Sequence, residues 1–154
     1  MGFFNTMNIS ATGLSANRVR MDIIAENIAN VNTTRTANGG PYQRKTVIFE
    51  EIRDNDPFAV VFNRFFGNTA SVPAPQGMGV RVREVVIDES PGLLRFDPTH
   101  PDADEEGYVR LPNINIVEEM VNMISASRSY EANITAMQTA RTLMQRTLEI
   151  GQGR

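Results

Sequence analysis

All eight prolines of this 154-residue chain lie between Pro41 and Pro112. Proline removes a backbone donor and clashes with the preceding helical turn, so no long helix runs through that region. The segments on either side are free of proline, and each carries apolar residues at helical spacing. Two amphipathic ends around a middle punctuated by Pro and Gly predict a mainly α chain with a β-rich insertion. Its long N- and C-terminal helices are expected to pair antiparallel as a coiled coil. The expected division is residues 1–36 and 113–154 for the helical ends and 37–112 for a small, irregular β segment.

The first helix is predicted over residues 7–31. Met7, Leu14, Met21 and Ile28 recur every seven residues, with Ile24 and Val31 in the companion row and Ser10 and Asn17 at its earlier places. Leu14, Met21, Ile24 and Ile28 are the candidates for packing within the chain. Ile9, Ala16 and Ile23 form a second row on another face, more than a lone surface helix needs. Asn27, Asn30 and Asn32 cluster at the end, where Asn tolerates the left-handed turn that closes a helix.

The second helix is predicted over residues 113–150. Pro112 stands just outside, and Asn115 followed by Glu118 resembles a capping box. Ile116, Met120, Met123 and Ser127 open a row whose spacing alternates four and three, and Tyr130, Ile134, Met137, Arg141, Met144 and Leu148 continue it. Met120, Met123, Tyr130, Ile134, Met137, Met144 and Leu148 are thus the candidate partners of the first helix. At 1.5 Å per residue this helix is about 50 Å long, too long for the rest of a small domain to cover. Ser125, Ser129, Ala132, Ala136 and Ala140 gather on a different face. Small side chains let a neighbouring backbone come close, so this face is the candidate contact between subunits. The plainer alternative is that they are good helix formers facing solvent.

In the middle, residues 46–49, 80–87, 93–96 and 108–111 are strand candidates, with a turn at Ser90-Pro91-Gly92. Residues 53–79 are rich in Asn, Pro and Gly around an apolar island containing Phe58, Phe62, Phe65 and Phe66. That island is either a local core or a binding loop.

The composition argues against several chemistries. There is no cysteine, so neither a disulfide nor a thiolate site is available, and the single histidine, His100, excludes any site that needs two. The net charge of −3 and the lack of a basic patch disfavour nucleic acid as a partner. No run approaches the length of a membrane span. The first ten residues lack a basic region and an apolar core of signal-peptide length, so the expectation is a cytoplasmic protein or one exported without a cleavable signal. Gly77-Met78-Gly79 opens no helix and is no phosphate cradle. Asp97, His100, Asp102, Asp104, Glu105 and Glu106 place five carboxylates and an imidazole within ten residues. Their spacing matches no calcium loop, and Pro98 and Pro101 stiffen the stretch. A polar turn that bonds its own backbone and nearby arginines is the simpler expectation. No cofactor, metal or catalytic residue is expected.

Residues 10–32, SATGLSANRVRMDIIAENIANVN, resemble the N-terminal signature of bacterial flagellar rod and hook proteins. GGPYQRK at 39–45, DPTHPDADEEGYVRLPNIN at 97–115 and VEEMVNMISASRSYEAN at 117–133 narrow the resemblance to the proximal rod subunits. The resemblance implies a structural, non-enzymatic part of the flagellar basal body, a helical tube of paired terminal helices carrying torque from motor to hook. It further implies export through the flagellar type III apparatus, a place in the rod within the periplasm, and partnership with other rod proteins and copies of itself. The stretch 54–76 looks longer than the family usually carries there. Two rivals stand beside this one: a cytoplasmic coiled-coil adaptor or export chaperone, and a metal-dependent enzyme centred on His100.

Overall fold

The computed structural model describes residues 3–37, 39–53, 65 and 77–151. Among the described residues two long helices flank two small sheets along the chain, in the order α1 (Phe3–Ala29), β1 (Lys45–Arg53), β2 (Gly77–Ile87), β3 (Leu94–Phe96), β4 (Tyr108–Arg110) and α2 (Ile116–Gly151). The mainly helical architecture with a β insertion is the one its sequence predicts, and the four strand candidates all form. The Phe-rich island lies outside the described residues except for Phe65, which is exposed.

The termini of the helices follow from local chemistry. Asn115 Oδ1 accepts the Val117 N–H at 3.1 Å, which caps the first turn of α2. α1 ends without a left-handed residue, since no non-glycine among the described residues has positive φ. Instead the Asn30 side chain donates to Glu26 O at 2.9 Å, a last-turn carbonyl that also accepts the Asn30 N–H, and accepts from Thr33 Oγ1 at 3.1 Å. The asparagine stop expected from the sequence is real, but it works through side-chain bonds.

β1 and β2 pair antiparallel from Lys45↔Ile87 to Arg53↔Gly77, with register shifts after Ile48 and Ile52. The shifts leave Arg83 and Met78 as extra residues on β2, two bulges that bend the ribbon. A two-stranded ribbon is marginal alone, and α1 covers it: α1 packs against both β1 and β2. Gly79 makes the closest approach possible. Its φ is +131°, and a Cβ there would lie 2.1 Å from Thr12 Oγ1. Thr12 Oγ1 in turn accepts the Val80 N–H at 3.2 Å, so a helix hydroxyl closes a strand donor. β3 and β4 form a separate ribbon, Leu94↔Arg110 to Phe96↔Tyr108, that packs against neither helix among the described residues.

Candidate functional interface

α1 and α2 run antiparallel in a fixed register. Gly13 faces Asn133 and Asn27 bonds Glu119, so fourteen residues on one helix match fourteen on the other in the opposite sense. The buried or half-buried residues of α2 facing α1 are Glu119, Met123, Ala126, Tyr130, Asn133, Met137, Ala140 and Met144, spaced four and three. On α1 the matching row is Ser10, Gly13, Asn17, Arg20, Ile24 and Asn27. This seam is small and polar on α1 apart from Arg20 and Ile24, whereas on α2 Glu119, Ala126, Asn133 and Ala140 alternate with Met123, Tyr130, Met137 and Met144. A Cβ at Gly13 would come within 2.9 Å of Asn133 Oδ1, so glycine, despite costing about 1 kcal/mol within a helix, is what lets the backbones approach.

The expected pairing residues are therefore divided. Met123, Tyr130, Met137 and Met144 lie on the seam row, Ile24 is buried within the chain, and Leu14, Met21, Ile28 and Ile134 are half-buried along its margins. Met120 and Leu148 are instead exposed, at 53% and 59%. The seam's second row on α2 is Glu119, Ala126, Asn133 and Ala140, one residue away from the greasier row of Met120, Ile134 and Leu148. Leu148 also lies where α2, about 54 Å long, runs past α1, about 40 Å long. Among the small residues, Ser125, Ala132 and Ala136 are exposed and Ser129 is half-buried. Ala140, expected to face a neighbour, is 6% exposed because it lies on the seam row, beside Thr6 of α1. Ala132, Ala136 and Ala140 line one open groove with Thr6, Thr135, Thr139 and Leu143.

At the C-terminal end of α1 the seam closes on a polar cluster that sequence reasoning does not anticipate. Asn27, 1% exposed, uses all four of its bonding positions. Nδ2 donates to Lys45 O at 2.9 Å and Glu119 Oε2 at 3.0 Å; Oδ1 accepts from Lys45 N at 3.0 Å and Tyr42 OH at 3.1 Å. The carboxamide thus continues the ladder of β1 as a strand would. Glu119, also 1% exposed, takes Arg44 Nε at 2.9 Å and Nη2 at 2.7 Å on its other oxygen. That bond holds the Arg44 guanidinium above its ordinary pKa, against the opposing pull of burial. Burial first, then the charge of Glu26, pushes the Tyr42 phenol up to about 12. Lys45 pairs with Glu26 and lies 5.5 Å from the Tyr42 ring centre. Every buried side-chain polar atom among the described residues has a partner. The signal for this cluster was in the sequence: Asn27, residues 39–45 and Glu119 each fall within a segment that carries the family resemblance.

The acidic turn bonds itself. Asp104 Oδ1 accepts the N–H groups of Glu106 and Tyr108, Asp97 accepts from Thr99, and His100 Nδ1 accepts the Asp102 N–H. Asp102 ties the turn to the chain after α1 through Thr34 Oγ1 at 2.8 Å and Arg35 at 3.6 Å. Among the described residues no three His, Asp or Glu side chains converge as a metal site.

α2 packs on α1 and on no other element among the described residues. Its opposite side carries Val117, Met120, Val121 and Ile124, exposed by 53–65%. No helix of the described residues is long and apolar enough to cross a membrane. A helix pair with apolar surface left over on its outer face defines a structural building block rather than a self-contained globule. Comparison with known proteins makes this specific. Residues 7–35 match the family model "Flagella basal body rod protein", and residues 105–150 match "Flagellar basal body rod FlgEFG protein C-terminal". A flagellar basal-body rod protein FlgC from Borreliella burgdorferi is 46% identical over 159 residues, covering 99% of this chain and all of the relative. FlgC proteins from Bacillus subtilis and Escherichia coli O157:H7 are 40% and 34% identical, again over 99% of this chain and all of each relative. This chain belongs to the FlgC-type flagellar basal-body rod proteins. That membership favours a structural rod subunit over an adaptor or export chaperone.

Proposed function

We propose that this chain is a subunit of the proximal rod of the flagellar basal body, without enzymatic activity or cofactor. It assembles with copies of itself and with other rod proteins into a helical tube that transmits torque from motor to hook. The supporting observation is the uncovered outer face of α2. Val117, Met120, Val121 and Ile124 are open to water on the side away from α1. Apolar side chains at this density gain by burial, at about 25 cal/mol per Å², only if another molecule covers them. An interface between unlike surfaces propagates as a helix wherever its rotation does not close a ring. Many small packing contacts along parallel shafts then resist shear together.

The chain reaches this place through the flagellar type III export apparatus and resides in the rod within the periplasm. The seam supports that route. Among the described residues of α1 Ile24 is the one large apolar side chain that is buried, so this helix draws little stability from apolar packing and depends on its partners. The test is a chromosomal deletion complemented by a tagged copy. The tag is expected in purified basal bodies, and only in cells with a working export apparatus. A tag found only in the cytoplasm of motile cells would refute the proposal.

A further inference from the structure

We infer that the acidic tip of one copy, Glu105-Glu106, docks into a cleft beside Arg20 on a second copy; this contact rests on the assembly function proposed above. A cleft of about 280 Å³ opens between α1, β1 and the start of α2. Arg20, Arg44 and Lys45 line it, with Ile23, Val47 and Phe49 among its apolar walls. Arg44 and Lys45 are committed to Glu119 and Glu26. Arg20 is half-buried yet holds no hydrogen bond or ion pair among the described residues. A guanidinium brought partly out of water with its planar fork unfilled suits a carboxylate.

The same chain offers that carboxylate elsewhere. Within the turn between β3 and β4, Asp97, Asp102 and Asp104 are used internally. Within that turn Glu105 and Glu106 remain exposed as two adjacent unpartnered carboxylates, whereas Asp22, Glu89, Glu131 and Glu149, also exposed and unpartnered among the described residues, stand singly. They form an acidic knob on the turn of a ribbon anchored through buried Val109, whereas Glu131 and Glu149 lie on the shaft of α2. The chain's own tip does not fill its own cleft. About 13 Å of helix separates Arg20 from the end of α1, and Thr34 and Arg35 tether the turn beyond that end. Knob and cleft are different surfaces of one molecule, so their contact is heterologous, and in an open assembly it leaves a free knob and a free cleft at the two ends.

The absence of cysteine permits a direct test. Purified Arg20→Cys and Glu106→Cys chains, mixed at assembling concentration under mild oxidant, are expected to give a disulfide-linked heterodimer. Assembled material without that cross-link overturns the contact. A second arm reverses charge on the exposed tip, where folding is not at risk. Glu105→Arg with Glu106→Arg is expected to keep the thermal melt and raise the concentration needed for assembly at least tenfold. Adding Arg20→Glu copies is expected to restore most of the loss. Unchanged assembly of the tip variant overturns the contact alone. An unsubstituted chain that never enters basal bodies refutes the rod function instead.

Discussion

Asn27 and Glu119, 92 residues apart in the chain, meet in a buried hydrogen bond of 3.0 Å. That bond joins the end of α1 to the start of α2. Through the second oxygen of Glu119 and the remaining bonds of Asn27 it also reaches Arg44 and Lys45 at the start of β1. One contact therefore fixes the register of the helix pair and its attachment to the sheet.

Glu119→Ala is expected to destabilise the isolated chain by about 2–4 kcal/mol. Removing the carboxylate strands Arg44 and one donor of Asn27. The loss sits below the extreme for buried pairs because Arg44 still reaches water, its side chain being 24% exposed. Urea unfolding followed by circular dichroism measures it. A change under 1 kcal/mol would mean that water replaces the carboxylate without penalty.

Tyr42 gives the cluster an alkaline signature. Its phenol is held up to about 12 against an ordinary value of 10.0, first by burial and then by Glu26. The folded chain therefore keeps a proton that the unfolded chain releases above pH 10. Stability from this group is complete below pH 10 and is lost as pH rises towards 12. Tyr42→Phe is expected to cost about 1 kcal/mol at pH 7 through the lost bond to Asn27, and to flatten the decline between pH 10 and 12. Equal slopes for both chains would show that the Tyr42 phenol does not set the alkaline decline.

Much of the fold is legible in the sequence because its signals are local. Pro112 and Asn115 mark the start of α2, and runs such as Thr46-Val47-Ile48-Phe49 mark the strands. The helix seam is harder to read, since periodicity follows large apolar residues. Here the row with Met120 and Leu148 is greasier than the row with Glu119, Ala126, Asn133 and Ala140, yet the second faces α1. What decides between them is the backbone approach permitted by Gly13 and the partner waiting at Asn27. Both are non-local facts that no window on either helix contains. Asn27 itself resembles any asparagine near a helix end until Lys45 and Glu119 are brought beside it.

Gly79→Ala is expected to loosen α1 from β2. The new methyl meets Thr12 Oγ1 at 2.1 Å, and φ of +131° strains any residue with a Cβ. The conformational part alone is about 1–3 kcal/mol. Pairing it with Thr12→Ala, and measuring against Thr12→Ala alone, removes the clash with the hydroxyl and leaves the strain, so partial recovery is the expected outcome in thermal melts. Full recovery would assign the whole cost to Thr12, and none would assign it to the backbone.

Adjacent residues on α2 separate folding from assembly. Met137 is half-buried on the seam row, whereas Ala136 is exposed in the open groove with Ala132 and Leu143. Met137→Asp puts a charge against α1 and is expected to lower helicity and melting temperature in the purified chain. Ala136→Arg leaves the seam untouched, so the monomer should melt as before. The added bulk blocks close approach by a neighbouring helix, and cells carrying this variant are expected to lose rod assembly and swimming. Normal swimming with Ala136→Arg would remove the small-residue groove from the subunit interface and leave the stripe of Val117, Met120, Val121 and Ile124 as its main apolar surface.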